Sequence, residues 1–268
     1  MLDTIQFEKL VRRKIAGWYS TPEFEDKAVA RMVAQRQEII DLLASTKRPG
    51  IDNVIEYLDK SGFFYRASSP HGHHNFPGGL AEHSLGTYKR AEPRGRNAGL
   101  PDDSVIIAAL LHDTCKSDRF WFKGRSIRQH TPKCEMDSRH SVRSIVILKD
   151  CGLQLTPQEY RAIRWHMKGE KYHSRDPKRE REHSQAVKED LWRFVFYSDK
   201  KDAADHPGRS TANFVAHEAN PFSGIPLSPS PAERRLCFFI PIAGGRQCAV
   251  LVVVSNGFLI VIDELMSG

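Results

Sequence analysis

The sequence predicts a mainly α-helical protein with a small antiparallel β appendage at its C-terminal end. Three observations predict it. Apolar residues recur at three- and four-residue steps through most of the first 205 positions. Pro, Gly and Ser cluster between 206 and 232. Beyond them, three short apolar runs are separated by Gly244-Gly245 and Asn256-Gly257, pairs that favour hairpin turns.

The elements follow in order. Residues 1 to about 60 read as helices: Ile5, Leu10, Val11 and Ile15, then Val29, Met32, Val33, Ile39, Ile40 and Leu43, fall at helical spacing among Lys, Arg, Glu and Gln. Trp18 to Pro22 and Lys47 to Gly50 break them, and a third helix from Ile51 to Lys60 ends at Gly62. A histidine-rich loop follows, Pro70-His-Gly-His-His-Asn-Phe-Pro-Gly-Gly79, before helix resumes from Leu80 to about Arg90. Gly78 and Gly79 allow a tight turn there. Asp102, Asp103 and Ser104 are expected to cap a helix whose apolar stretch runs into Leu110-Leu-His112-Asp113-Thr-Cys-Lys116.

Residues 117–139 read as an irregular, aromatic and basic segment suited to a substrate loop or to a solvated one. A helix from Arg139 stops near Gly152, and Thr156-Pro-Gln-Glu159 is a capping box with proline at the first helical position. The charged stretch 168–189 reads as solvated, and Leu191 to Asp202 as helix. Strands are predicted at Leu236–Ile242, Cys248–Val254 and Phe258–Ile262. Both faces of these strands are apolar, so the sheet needs cover from the helical body or from a second copy of the chain, which makes a homodimer through the C-terminal strands an expectation. The expected organisation is an N-terminal helical segment (1–69), a central core (70–205), and the connector with its β appendage (206–268).

Composition narrows the function classes. The chain has 268 residues and a formal net charge of +7, a balance that favours an anionic phosphate-containing partner such as a nucleotide or a single-stranded nucleic acid. Five cysteines, an odd number with no C-x-x-C spacing, argue against a disulfide framework or a zinc ribbon and fit reduced thiols in the cytoplasm. The N-terminus lacks the apolar run of a signal peptide. The most apolar segment, Cys248 to Val254, is far short of the roughly 20 residues that span a bilayer, so no membrane partner is expected.

An adjacent His-Asp pair on a buried helix must be hydrogen-bonded, ion-paired or metal-bound. Alone it is more often a structural pair. Here His83, His112 with Asp113, His140, His166 and Asp199 follow one another at intervals of about one helix plus one connection, so successive helices of a bundle could each contribute an inward-pointing ligand. Imidazoles and carboxylates without thiolate suit Mn, Fe, Ni, Co or Zn, whereas Ca or Mg would prefer oxygen throughout.

This ordered set, in Leu80-Ala-Glu-His83-Ser, Leu110-Leu-His112-Asp113-Thr-Cys-Lys116, Arg139-His140-Ser, Ala162-Ile-Arg-Trp-His166 and Tyr197-Ser-Asp199-Lys-Lys-Asp202-Ala, resembles the HD-domain metal-dependent phosphohydrolases of the two-metal H…HD…H…H…D branch. The segment His73-His74-Asn-Phe-Pro-Gly-Gly also resembles the approach to the first metal histidine in HD-type exoribonucleases. The Gly-Tyr-Pro signature of the cyclic-dinucleotide phosphodiesterases is absent. The resemblance covers about residues 70 to 205 and implies an HD-domain helical bundle holding two divalent transition metal ions. His83, His112, Asp113 and Asp199 would bind one ion. His140, His166 and a bridging Asp113 would bind the other, with Asp202 as a substitute for Asp199.

The implied activity is cleavage of a phosphoester or phosphoanhydride of a nucleotide or nucleic acid through a metal-bridging hydroxide. Asp113 and Lys116 are the expected catalytic pair, the lysine meeting charge that builds on the phosphoryl oxygens. Arg119, Arg164, Lys168 and His74 are candidates for substrate phosphate, His73 and His74 also being candidate proton donors or ordinary loop residues. Two alternatives stay open: a nucleotide-binding regulatory module without turnover, and a single-strand 3′ exonuclease.

Overall fold

In the computed structural model, residues 1–129 and 140–207 are described in full, and three later strands by their backbone. The chain divides into two compact units, Met1–Gly224 and Ile225–Gly268. The first holds nine α-helices among the described residues: α1 (Thr4–Ile15), α2 (Pro22–Ser45), α3 (Ile51–Ser61), α4 (Gly79–Asn97), α5 (Asp102–Leu111), α6 (His140–Asp150), α7 (Pro157–Trp165), α8 (Pro177–Ala186) and α9 (Asp190–Asp205). The class is mainly α, as the periodicity predicts.

Local chemistry sets the helix starts. Asp3 and Gln6 form a capping box on α1, Thr21 caps α2 with Pro22 at its first position, and Thr156 and Glu159 form the capping box read from the sequence. The start of α5 differs from expectation. Pro101 precedes it with no side-chain cap, and Asp102 and Asp103 lie inside the first turn, where their charge meets the positive end of the helix dipole. Every residue of α5 from Ser104 to Leu111 is buried, so this helix is the centre of the unit, packed by α2, α4, α7 and α9.

Buried ion pairs tie the outer helices to this centre. Arg31 on α2 meets Glu82 on α4 at 2.9 Å. Arg36 grips Asp59 of α3 through Nε (2.7 Å) and Nη2 (2.8 Å), and its Nη2 also donates to the Leu2 carbonyl. Such pairs hold because each charge finds its counter-charge and its hydrogen bonds inside the fold.

Two segments are more ordered than their sequence suggests. Residues expected to be irregular form a hairpin, β1 (Phe120–Lys123) with β2 (Ser126–Gln129), antiparallel with Phe120 opposite Gln129. Its Phe122 ring sits 4.9 Å from that of Trp18, edge-on. The charged run expected to be solvated contains α8, capped by Asp176 and anchored by buried His183 and Ala186.

The second unit is the predicted antiparallel β appendage. Strands β3 (Arg234–Ile242), β4 (Arg246–Ser255) and β5 (Phe258–Leu265) lie in sequential order, with a register shift between Val250 and Leu251. The predicted turn residues 244–245 and 256–257, the connector from 208 to 233, and residues 130–139 with His130 and Cys134 lie outside the described residues.

Candidate metal centre

Helix ends deliver most of the centre. His83 lies in the second turn of α4, whose start is set by Gly78 in the left-handed region (φ +80°). A Cβ on Gly79 would come within 2.1 Å of the His74 carbonyl oxygen, so only glycine lets the histidine-rich loop fold back there. His112 and His166 are the C-caps of α5 and α7, and each directs Nδ1 at the carbonyl three residues back, Ala109 at 2.8 Å and Ile163 at 2.7 Å. That contact fixes Nδ1 as the protonated nitrogen and leaves Nε2 as the inward lone pair. His140 opens α6, and Asp199 and Asp202 lie one turn apart on α9.

These side chains converge on Asp113, which is 1% exposed. Its Oδ2 lies 3.3 Å from His112 Nε2 and 3.7 Å from His83 Nε2, and its Oδ1 lies 3.6 Å from His166 Nε2 and 3.7 Å from His140 Nε2. One carboxylate oxygen therefore faces one histidine pair and the second oxygen faces the other. Asp199 Oδ1 joins the first set, 3.1 Å from His83 Nε2 and 3.9 Å from His112 Nε2. In the second set the two Nε2 atoms of His140 and His166 stand 3.3 Å apart.

The buried polar atoms His83 Nε2, His112 Nε2 and Asp113 Oδ1 have no aligned hydrogen-bond partner among the described residues. Buried donors and acceptors left so cost about 1–3 kcal/mol each, and a cation among these nitrogens and oxygens removes the cost. His83, His112 and Asp113, and likewise Asp113, His140 and His166, are close enough to share an ion. The donor set is nitrogen and oxygen throughout. Nearby Cys115 is buried, and burial pushes its thiol up to about 11, so it contributes no thiolate.

Electrostatics agree with a cation site. Burial works against protonation of His83, yet the carboxylates of Asp199 and Asp202 outweigh it and lift the imidazole to about 9, so an ion at Nε2 would take the place of a proton there. Burial also opposes the charge on Asp113, but Lys116 and His112 hold that carboxyl well below the usual range. Burial, helped by the neighbouring His166, drops His140 to about 3, which keeps it in the neutral form a metal requires.

The remaining predicted residues fall in four places. Lys116, in a single turn of 3₁₀ helix (Thr114–Lys116), places Nζ 2.6 Å from Asp113 Oδ2. Arg119 is 3% exposed, with its Nε unpartnered among the described residues. Arg164 and Lys168 line a cleft that also touches His140. His74, 1% exposed and in the left-handed region at φ +49°, stands on the far side of His83, its Nε2 3.5 Å from Asp202 Oδ2.

Asp202, offered by the sequence as a substitute for Asp199, faces the other ring nitrogen of His83. It stands behind the candidate ligands, its Oδ2 2.8 Å from His83 Nδ1, so it orients the ring and enriches Nε2. Gly86 permits this, since a Cβ there would meet Asp202 Oδ1 at 2.0 Å. The available signal was its spacing of three residues from Asp199, one helical turn. Asp202→Asn is expected to weaken metal affinity by about 10- to 100-fold, as loss of such a carboxylate–histidine contact does. Titration of the metal-depleted protein with a divalent ion measures this, and unchanged affinity would remove Asp202 from the centre.

No protein-family model, curated protein or solved structure matches the chain. The functional reading therefore rests on the site itself. The helical unit carries clustered His and Asp residues able to bind metal, an arrangement compatible with a metal-dependent hydrolase. None of the described helices is long and apolar enough to cross a membrane.

Proposed function

We propose that the chain is a metal-dependent phosphohydrolase of the HD type, acting with two divalent ions on a phosphoester or phosphoanhydride of a nucleotide or nucleic acid. The observation that carries this reading is Asp113, whose two oxygens are divided between two histidine pairs. His83, His112 and Asp199 with one oxygen would hold the first ion, and His140 and His166 with the other oxygen the second. Two transition ions so held would supply Lewis acidity at phosphorus and lower the pKa of water enough to provide hydroxide at neutral pH.

The chain's own residues do the rest. Asp113 would keep the two ligand groups in register, because it is the one side chain common to both. Lys116 and Arg119 would meet negative charge growing on the phosphoryl oxygens. The lysine sits against Asp113, and Arg119 has no carboxylate within ion-pair distance among the described residues. The apolar α5 beneath the centre keeps these charges in a low-dielectric setting, where each is worth more than in water. The apolar C-terminal strands would pair with those of a second copy, and the mass of the protein in solution tests that.

Purification without chelator followed by metal analysis is expected to find Mn, Fe, Ni, Co or Zn. Chelation should abolish hydrolysis across a screen of nucleotides, dinucleotides and short RNA, and one of these ions should restore it. Hydrolysis indifferent to chelation would overturn the reading. Tight nucleotide binding with no product would favour the regulatory alternative. Binding of single strands that falls steeply with salt would favour the exonuclease.

A further inference from the structure

Beside His140 lies a narrow cleft whose walls include Arg164, Trp165, Lys168 and Arg179. Its three cations come from the last turn of α7, the turn beyond it and the first turn of α8. Several part-buried arginines elsewhere in this unit have acidic partners: Arg48 meets Glu159, Arg90 meets Asp205 and Arg161 meets Glu189. No carboxylate among the described residues comes within ion-pair distance of Arg164, Lys168 or Arg179. They are held on aromatic rings instead, Arg164 at 4.8 Å and Arg179 at 6.0 Å from the Trp165 ring centre, and Lys168 at 5.1 Å from that of Tyr172. An aromatic face steadies a cation without cancelling its charge. The buried Arg179 Nε and Trp165 Nε1 also have no hydrogen-bond acceptor among the described residues, and orphaned donors of this kind are costly unless an acceptor arrives.

We propose that this cleft is an anion subsite holding a second, non-scissile phosphate of the substrate. The proposal rests on the hydrolase reading for the word substrate, and on the cleft alone for the anion. Three positive side chains with several N–H donors and no ion-paired carboxylate among the described residues fit a group rich in acceptor oxygens and lacking donors, such as a phosphate. A cleft that reaches His140 sets this group next to the candidate centre. Preferred substrates therefore carry at least two phosphates. The second can be the 5′-phosphate of a short strand or a further phosphate of a nucleoside polyphosphate.

Calorimetry with inorganic pyrophosphate on the full chain, dialysed against chelator, tests the subsite without catalysis. Arg179→Gln and Lys168→Gln should each weaken pyrophosphate binding about tenfold, the scale of one lost charge-assisted hydrogen bond, with unchanged thermal unfolding. Pyrophosphate binding that neither variant changes would overturn the subsite. Pyrophosphate binding without hydrolysis of any compound would leave the subsite standing and overturn the hydrolase reading. In the metal-loaded protein, a lower KM for pApA than for ApA, lost in Arg179→Gln with kcat kept, identifies a 5′-phosphorylated strand. The same pattern for adenosine diphosphate over the monophosphate identifies a polyphosphate chain. Equal KM within both pairs would overturn the proposal.

Discussion

Asp113→Asn is expected to lower hydrolysis by at least about 10³-fold, roughly 4 kcal/mol of transition-state stabilisation, and to reduce metal content from about two ions per chain to one or fewer. The substitution keeps the shape of the side chain and removes the charge and one of its two acceptor oxygens. That oxygen is what a bridge needs, because a neutral imidazole offers only one lone pair. With an amide at position 113, either the His83 and His112 set or the His140 and His166 set loses its carboxylate contact. Lys116 loses its partner as well. Its side chain is 14% exposed, so it can turn toward water, and the helical circular dichroism should persist. Asp199→Asn provides the contrast. Among the described residues Asp199 pairs with His83 and His112 and with neither His140 nor His166, so the second ion should remain. Elemental analysis of both variants separates the cases, and an Asp113→Asn protein that keeps two ions and its activity would end the bridging model.

Part of this cluster was legible in the sequence because His112, Asp113, His140 and His166 sit where helices begin or end. His112 and His166 both follow apolar helices and bond back to a carbonyl three residues earlier, so periodicity alone locates the positions from which they reach inward. The Thr156 capping box was legible for the same reason, since all of its parts lie within four residues. What was not legible depends on contacts far apart in the chain. The hairpin at 120–129 is backed by Trp18, about a hundred positions away, and its charged, aromatic residues alternate too weakly to announce a strand. Asp202 looked like a reserve ligand because spacing along α9 does not reveal which nitrogen of His83 it meets. Arg179 lay in a run that composition marks as solvated, and its place in the cleft appears only once α8 packs beside Trp165.

The same dependence on distant contacts makes Arg48 the strongest structural prediction. Arg48 sits between α2 and α3. Its Nη1 donates to Glu159 at 2.9 Å and Asp103 at 3.0 Å, and its Nη2 to the Gln154 carbonyl at 2.6 Å. Glu159 is fully buried and also accepts from Ser104 Oγ at 2.7 Å and the Thr156 backbone N–H at 2.8 Å. Arg48 thus joins the starts of α5 and α7, the two helices whose far ends carry His112, Asp113 and His166. Arg48→Met leaves the Glu159 charge buried without its cation, a loss of about 3–5 kcal/mol from a total stability on the order of 5–15 kcal/mol. Thermal unfolding should fall by roughly 6–20 °C at about 2–4 °C per kcal/mol for a unit of this size. Adding Glu159→Gln should recover part of the loss, because the amide oxygen can accept from the Thr156 N–H while its NH2 donates to a reoriented Ser104 hydroxyl, and the stranded charge disappears. A double variant no more stable than Arg48→Met would show that Arg48 acts through packing or through Asp103. A divalent ion should raise the melting temperature of the single variant, since ligand binding to the folded state alone stabilises it.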